Sequence, residues 1–171
     1  MDAYQALVPF ARRELGRWHG LPPHTRLADL AGLVEVDADY AGRGLLGSRF
    51  MAADWVGAAA DGFPHGIRIW RRGDDVVLLD ADGVQPVGDL ASLLAELDPP
   101  GARWDAWLGP VKVDGSEWVY PDRGLTIFAI PGSGTVDRVL AYAPTSLDEY
   151  AGALRPHTEM HPIPEAGGDL T

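Results

Sequence analysis

The first candidates for acid–base chemistry are a histidine and an aspartate in similar local sequences. His65 follows Phe63-Pro64, and Asp122 follows Tyr120-Pro121, so each stands directly after an aromatic–proline pair. An imidazole and a carboxylate that the fold brings together could transfer a proton. Pro-His-Gly and Pro-Asp-Arg-Gly are also turn-forming sequences, in which the polar side chain binds its own backbone. We favour the turn interpretation and keep His65 and Asp122 as catalytic candidates.

A second group of candidates surrounds Trp118. Glu117, Tyr120 and Arg123 follow one another closely in this part of the chain. Polar groups that converge on an aromatic wall are typical of a ligand cleft. In a strand, however, alternation would direct Glu117 to the face opposite Trp118 and Tyr120. Glu117 is therefore a third catalytic candidate, and Tyr120 and Arg123 are binding candidates that can share its pocket only if a bend at Pro121 reorients them.

The other motifs indicate no metal, phosphate or nucleophile site. His157 and His161 are spaced like a pair of ligands, but Pro156 and Pro162 bracket them and oppose a helix that presents both imidazoles. The glycine pairs of Gly42-Arg43-Gly44 and Gly132-Ser133-Gly134 do not lie between a strand and a following helix, as a phosphate loop requires. No serine lies in a G-x-S-x-G elbow. The chain contains no cysteine, which excludes a thiolate nucleophile or metal ligand. We therefore expect neither a metal nor a cofactor.

Charge and hydropathy limit the partners and the location. The 25 acidic and 14 basic side chains give a formal net charge of −11. Such a surface repels nucleic acid and anionic lipid and favours cationic partners, although it is often only a solubility device. No basic region precedes an apolar run at the N-terminus, and no stretch has the length of a membrane span. We expect a cytoplasmic protein that binds neither nucleic acid nor membrane.

Two pairs of similar stretches indicate an internal duplication. Asp54-Trp55-Val56 is similar to Glu117-Trp118-Val119, and Ile67-Arg68-Ile69-Trp70 is similar to Leu125-Thr126-Ile127-Phe128. The matched tryptophans, Trp55 and Trp118, are predicted to be core anchors, whereas Trp70 and Phe128 could belong to the core or to a binding face. The predicted units are an N-terminal helix and connector (1–24), repeat 1 (25–86), repeat 2 (87–155) and a flexible tail (156–171).

The predicted fold class is α+β, with two tandem helix-plus-antiparallel-sheet repeats that form one compact domain behind an N-terminal helix. Helical spacing or capping patterns predict helices at Ala3–Trp18, Leu27–Val34, Leu90–Leu97 after the N-cap Asp89, and Ser146–Leu154. A short helical turn is predicted at Ala102–Leu108. Alternation and turn residues predict strands at Ser48–Val56, Ile67–Arg71, Val76–Leu79, Val111–Val113, Glu117–Tyr120, Leu125–Ile130 and Val136–Ala143.

The order of these motifs resembles a known repeat. Its motifs are Leu108-Gly109-Pro110, Glu117-Trp118-Val119-Tyr120, Leu125-Thr126-Ile127-Phe128 and Val136. Over about residues 27–143 they resemble the repeat of SmpA/OmlA-type lipoproteins, which occurs in tandem in β-lactamase-inhibitor proteins. The resemblance implies a helical layer and a concave sheet that binds other proteins, without implying β-lactamase as the target. The chain departs from that pattern because it lacks a lipobox cysteine, an export signal and the disulfides of the secreted inhibitors.

Two hypotheses for function follow. The leading one is a soluble binding protein that recognises a partner protein through an aromatic sheet face, with binding residues Trp70, Phe128, Tyr120, Arg68 and Arg123. The alternative is a small cofactor-free cyclase or isomerase, which would hold a small apolar molecule in a cavity between the repeats. An enzyme of that kind leaves almost no motif in its sequence, so whether the protein is catalytic stays open at this point.

Overall fold

Eight strands form one open antiparallel sheet, with short helices around it. The computed structural model describes residues 3–108, 113–130 and 132–156. The strands are β1 (Glu35–Leu46), β2 (Met51–Ala59), β3 (Ile67–Arg72), β4 (Asp75–Asp82), β5 (Ala102–Leu108), β6 (Val113–Tyr120), β7 (Leu125–Ala129) and β8 (Val136–Tyr142). Their order in the sheet is β1-β2-β3-β4-β8-β7-β6-β5. Two four-stranded meanders therefore meet along β4 and β8, which pair antiparallel.

The helices are short and stand at the ends of the meanders. They are α1 (Ala3–Ala11), α2 (Leu90–Glu96) and α3 (Leu147–Glu149), which continues into a π-helical turn, Tyr150–Leu154. Turns of 3₁₀ helix occur at Leu15–Arg17, Leu27–Leu30 and Pro121–Arg123. The predicted N-caps are confirmed: the Asp89 carboxylate accepts a hydrogen bond from the backbone N–H of Ser92, and the Ser146 hydroxyl accepts one from Glu149.

The structure differs from the prediction at several elements, among them the helix predicted at Leu27–Val34, which is a 3₁₀ turn over Leu27–Leu30. The helix predicted over Ala3–Trp18 ends at Ala11, because Arg13 has a left-handed backbone (φ 61°) that a right-handed helix cannot include. Residues Ala102–Leu108 form the edge strand β5 instead of a helical turn, since they pair with β6 along their whole length. The long edge strand β1 was not predicted. The acidic first half of β1 has a composition typical of a loop, and the segment forms a strand because it pairs with β2.

The two faces of the sheet bury different clusters of side chains. The first face, covered by α1, α2 and the segments between α1 and β1, packs the larger cluster, which includes Leu7, Trp18, Ile69, Ile127 and Val139. The second face carries the smaller cluster, whose buried members are Leu46, Ala53, Trp70, Leu78, Ala106, Val119, Phe128, Leu140, Tyr142 and Tyr150. Tyr150 belongs to the C-terminal segment, residues 146–156, which lies against this second face.

The strand register corrects the predicted equivalence of the two tryptophans. Trp118 pairs with Ile127 and belongs to the first-face cluster, whereas Trp55 pairs with Trp70 and packs against the second-face cluster. Because successive side chains of a strand point to opposite faces, an offset of one residue is enough to produce this difference. Trp118 is buried as expected, but Trp55 is only half-buried. Glu117 occupies the second-face position that corresponds to Trp55.

Both meanders contain a β-bulge at the corresponding place. Between β3 and β4 the register shifts after Trp70, which leaves Val77 as the extra residue. Between β7 and β8 it shifts after Phe128, which leaves Asp137 as the extra residue. A bulge bends its strand and increases the local twist, so the two halves of the sheet change direction at matching positions.

Candidate functional site

Seven adjacent strands each contribute one side chain to a row across the second face. From β2 to β5 this cross-sheet row consists of Trp55, Arg68, Asp80, Arg138, Phe128, Glu117 and Trp104. Its neighbours are directly paired across the strands except at Trp55–Arg68 and Asp80–Arg138, which are diagonal neighbours offset by two residues. It mixes aromatic rings with charges of both signs. Three of its members, Asp80, Glu117 and Arg138, are the buried charged residues in the part of the chain that the structure describes. Buried charges require partners, so the contacts of the row define its chemistry.

Asp80 and Arg138 form a closed ion pair at the centre of the row. The Arg138 Nε donates to Asp80 Oδ1 at 2.7 Å, and Arg138 Nη2 donates to Oδ2 at 2.5 Å. Trp70 Nε1 also donates to Oδ2, at 3.2 Å. Burial alone would lower the pKa of Arg138, but the charge and hydrogen bonds of Asp80 outweigh it and leave the pKa raised. The Arg138 guanidinium therefore stays charged and binds the Asp80 carboxylate in a bidentate arrangement.

Glu117 is fully buried, and two residues of the C-terminal segment donate hydrogen bonds to its carboxylate. Its Oε1 accepts a hydrogen bond from the Tyr150 hydroxyl at 2.8 Å, and its Oε2 accepts one from Arg155 Nη2 at 2.6 Å. Burial, followed by the charge of Glu117, raises the pKa of Tyr150 well above its usual value, so the phenol stays protonated as the donor. The Arg155 guanidinium lies 5.1 Å from the centre of the Trp104 ring.

The C-terminal segment is attached to the sheet by backbone as well as side-chain contacts. The turn between β1 and β2 donates from Ser48 to the carbonyl of Ala151 at 2.9 Å and from Arg49 to that of Gly152 at 3.0 Å. The ring of Tyr150 stacks on Tyr142 of β8 at a centroid distance of 4.9 Å. This segment and the hairpin turn together close one side of the second face.

Another part of the second face stays open. Tyr40 of β1 is 55% exposed, and its ring meets the edge of Trp55 at a centroid distance of 5.2 Å. The guanidinium of Arg68 lies over Trp55 at 5.2 Å, and the Arg68 side chain is 37% exposed. We call these three side chains the open aromatic patch. Because Trp55 is held by both neighbours, the patch is a fixed surface.

Two glycines make room for these rings. A Cβ on Gly42 of β1 would overlap the ring of Trp55, and a Cβ on Gly57 of β2 would overlap the ring of Tyr40. Aromatic side chains can therefore lie flat against the backbone of the edge hairpin, an arrangement that a glycine in a strand permits.

The predicted catalytic residues are not brought together. His65 is exposed in the turn before β3, and Asp122 is exposed on the 3₁₀ turn before β7. The alternating directions of β3, β4, β8 and β7 make β3 and β7 antiparallel, so these two turns lie at opposite ends of the sheet. Glu117 is buried within its ion pair. The three residues therefore form no shared proton-transfer site.

The predicted binding residues separate into three groups. Trp70 and Phe128 lie on the second face but are only 6% and 5% exposed, and Arg68 belongs to the open aromatic patch. Tyr120 is buried in the first-face core, and Arg123 donates from Nη1 to the carbonyls of Gly16 and Trp18, which ties the N-terminal segment to the sheet. Of the five, only Arg68 presents a free surface here.

Several residues of the site were missed by the sequence analysis. Asp80 and Arg138 had a detectable signal, because each is a charged residue that alternation places with apolar neighbours inside a strand. Tyr40 and Arg155 had none. Tyr40 meets Trp55 through the pairing of β1 with β2, and Arg155 meets Glu117 because the C-terminal segment lies against the second face.

An open cleft lies apart from this face. Its volume is about 520 Å³, and it is lined by the end of α1, residues 31–35 and residues 59–61. These residues all belong to the first half of the chain, so the cleft is not between the two meanders. Where the meanders meet, β4 and β8 are packed without exposed side chains at Leu78, Leu79, Leu140 and Ala141.

Comparison of the chain with known protein families, curated proteins and solved structures finds no match. Within the described residues, no helix is long and apolar enough to cross a membrane. The same residues contain no group of three or more His, Asp or Glu side chains that could hold a metal ion.

Proposed function

We propose that the protein binds a partner protein through the open aromatic patch and the hairpin that carries it. The observation that carries this proposal is the location of exposed apolar side chains. Of the seven large apolar residues that the described chain exposes, five lie on the β1–β2 hairpin: Val36, Tyr40, Leu45, Phe50 and Met51. Exposed apolar side chains that cluster on one element are typical of interaction sites, whereas single ones are ordinary.

The chemistry of the patch suits an interface. Tyr, Trp and Arg are the residue types that most often dominate binding energy, and Tyr40, Trp55 and Arg68 lie in direct contact. Their mutual packing restricts the rings before any partner arrives. A partner therefore loses less conformational entropy in binding them than in binding three mobile side chains.

The position of the patch refines the predicted binding face. The aromatic sheet face was expected to centre on Trp70 and Phe128, but these rings lie under neighbouring chain. Trp70 pairs directly with Trp55 across β2 and β3, so the buried ring supports the accessible one. The binding surface that we propose, the open aromatic patch, thus lies at the edge of the predicted binding face.

We also infer that the two meanders are copies of one duplicated unit, as in the tandem SmpA/OmlA-like repeats that the sequence resembles. Support comes from the identical strand order within each meander and from the bulges after Trp70 and Phe128. Superposition of an experimental structure's residues 25–86 on 87–155 tests this. The bulges should coincide, and bulges at unrelated positions would refute a common unit.

The enzyme alternative receives less support from the described residues. It requires a ligand-sized cavity between the repeats, and the described cleft lies within the first half instead. Its carboxylates, Glu35 and Asp61, are exposed, and the cleft itself is open to solvent. Catalytic acids and bases are usually partly buried among other polar groups, whereas these two carboxylates face solvent.

Affinity capture with quantified recovery tests the binding proposal. The parent protein, Tyr40→Ala and Trp55→Ala are used as baits, and any captured protein is purified and its Kd for each bait is measured. The control is Val87→Ala, which removes an apolar side chain that is 67% exposed outside the hairpin. We expect each patch variant to weaken binding by about tenfold or more, as is typical of interface anchors, and the control to leave it unchanged.

Folding must be measured in parallel. Since Tyr40 and Trp55 are not fully buried, each variant should keep a cooperative urea transition. A partner whose Kd is the same for the parent and both patch variants would refute the patch as the binding surface.

A further inference from the structure

We propose that Glu117 and Trp104 form a guanidinium-binding site, which Arg155 fills from within the chain and which an arginine of the partner protein takes over. This inference rests on the proposed binding function and names the chemistry of the partner. It also gives a role to the covered part of the second face, next to the open aromatic patch.

The site has the two features that recognise a guanidinium. Glu117 Oε2 accepts a hydrogen bond from Arg155 Nη2 at 2.6 Å, and the centre of the Trp104 ring lies 5.1 Å from the guanidinium carbon of Arg155. A carboxylate supplies a charge-assisted hydrogen bond, and an aromatic face attracts the cation through its quadrupole. Tyr150 holds the other carboxylate oxygen at 2.8 Å, so the acceptor is fixed in direction.

The exposures of the two partners differ in a way that allows exchange. The Glu117 side chain is 0% exposed, whereas that of Arg155 is 41% exposed. The cation can therefore be reached from solvent while its acceptor cannot. The backbone N–H of Arg155 donates to the carbonyl of Tyr150 at 2.8 Å, so the backbone can stay in place when the Arg155 side chain leaves.

Departure of Arg155 leaves a buried carboxylate oxygen without its cation. Removing one partner of a buried pair is costly, because the remaining charge is left uncompensated. An incoming guanidinium removes that cost, but an apolar or acidic group does not. The formal charge of −11 also favours the approach of cationic partners.

The other arginine–aromatic contacts of the described chain lack a carboxylate that depends on that arginine alone. Arg68 lies over Trp55 and is 37% exposed, but its carboxylate neighbour Asp80, at 4.0 Å, is already bound by Arg138. Arg138 lies over Phe128, but its side chain is only 10% exposed and is bound in bidentate fashion to Asp80. Arg103 lies over Trp118 on the first face and donates to the Ser116 hydroxyl at 3.3 Å, without a carboxylate. The Arg103 contact therefore serves as a matched control.

The test empties the site and supplies its ligand separately. N-acetylarginine amide and N-acetyllysine amide are titrated into the parent, Arg155→Ala, Arg155→Ala/Glu117→Gln and Arg103→Ala, with calorimetry for Kd and thermal unfolding for Tm. We expect Arg155→Ala to bind the arginine amide at least about tenfold more tightly than the parent, whose site is occupied. The lysine amide should bind more weakly, since an ammonium cannot stack on Trp104 or form a planar fork.

The controls decide the outcome. The double variant lacks the acceptor and should lose both the binding and the ligand-dependent rise in Tm, and Arg103→Ala should behave as the parent. If Arg155→Ala is unfolded on its own, the arginine amide must restore its folding. Failure of the arginine amide to bind or to refold Arg155→Ala, or equal binding to the double variant, would overturn the site. The effect of Tyr40→Ala on partner capture is measured separately, so the proposed function can stand or fall independently.

Discussion

The two faces of the sheet are both buried for much of their area, but they use different interactions. The first face packs Leu, Ile, Val and aromatic side chains under helices and contains no buried charge among the described residues. The second face places Asp80, Glu117 and Arg138 among its rings. Apolar burial is the non-directional main source of stability, whereas a buried ion pair adds little net stability over an apolar replacement.

The comparison indicates a division of roles. The first face supplies the stability that holds the strands in register. The second face uses that register to fix rings and charges in defined positions, one from each of seven strands. Fixed aromatic and arginine side chains are what an interface requires, and this agrees with the placement of the proposed binding surface.

The largest difference in stability is expected between alanine variants of Trp118 and Trp55, which occupy equivalent positions in the two similar stretches of sequence. Trp118→Ala removes a first-face side chain that is 9% exposed and should lower the free energy of unfolding by about 3 to 5 kcal/mol. Trp55→Ala should cost less than half of that, because its ring is half-buried on the other face. Urea unfolding of both variants measures the difference. Equal losses would mean that the two faces contribute alike.

The next effect concerns the ion pair within the second face. Asp80→Ala leaves the buried Arg138 charge with only the exposed carboxylate of Asp82, at 3.8 Å, and should cost about 3 kcal/mol. Asp80→Leu/Arg138→Met removes both charges and should recover most of that loss. A double-mutant cycle that adds the single variants Asp80→Leu and Arg138→Met to this double variant separates the pair from its surroundings. A double variant as unstable as Asp80→Ala would show that the pair itself carries the stability of this face.

A smaller effect is expected from the glycine beneath Trp55. Gly42→Ala places a methyl group where the ring lies, and the half-exposed ring can move outwards, so the loss of stability should be about 1 kcal/mol. The indole resonance of Trp55 should shift in NMR spectra, and partner binding should weaken. Gly73→Ala is the control, because it adds a methyl group at a turn glycine (φ 61°) without touching any ring, and it should leave the Trp55 indole resonance unmoved. An unmoved Trp55 indole would contradict the proposed packing.

The smallest effect is a dependence of stability on pH through the bulge residue Asp137. Burial, followed by the charge of Asp82, raises its pKa, and Arg138 opposes the shift. A carboxyl group whose pKa is higher in the folded protein than in the unfolded chain contributes stability when the pH is below its pKa in the unfolded chain, 3.8. This contribution is lost as the pH rises through the pKa of the group in the folded protein. Asp137→Asn should therefore be more stable than the parent at neutral pH, with the difference vanishing near pH 3. Urea midpoints across that range measure it, and a difference that persists at low pH would contradict the burial effect.

Local patterns predicted the parts of the fold that local interactions determine. The β3–β4 hairpin, β7, β8 and the caps at Asp89 and Ser146 follow from alternation, turn residues and short-range hydrogen bonds. The edge strands β1 and β5 did not, because each is ordered by pairing with a single neighbour and its own sequence favours other conformations. Trp55 was assigned to the core because a one-residue offset in register cannot be read from similar sequences.

The candidate site was predictable only in part for the same reason. Glu117 was identified from its position beside Trp118, and Arg68 from its position near His65. The contacts that define their roles come from Trp55 beside Arg68 and from Arg155 beside Glu117, and the second of these joins residues far apart in the chain. The sequence of one chain carries no information about pairs that meet only in the fold. An isolated charged residue in an apolar strand, such as Asp80, can in contrast be recognised from the sequence.

Hydrogen exchange of the complex with the captured partner tests the division between the two faces most directly. Amide protection is compared for the free and bound protein over the whole sheet and its helices. Binding should increase protection along the β1–β2 hairpin and in the neighbouring C-terminal segment, while α1 and α2 on the first face keep their free-state rates. New protection confined to α1, α2 or the cleft beside them, with an unchanged hairpin, would contradict the assignment of the second face as the binding surface.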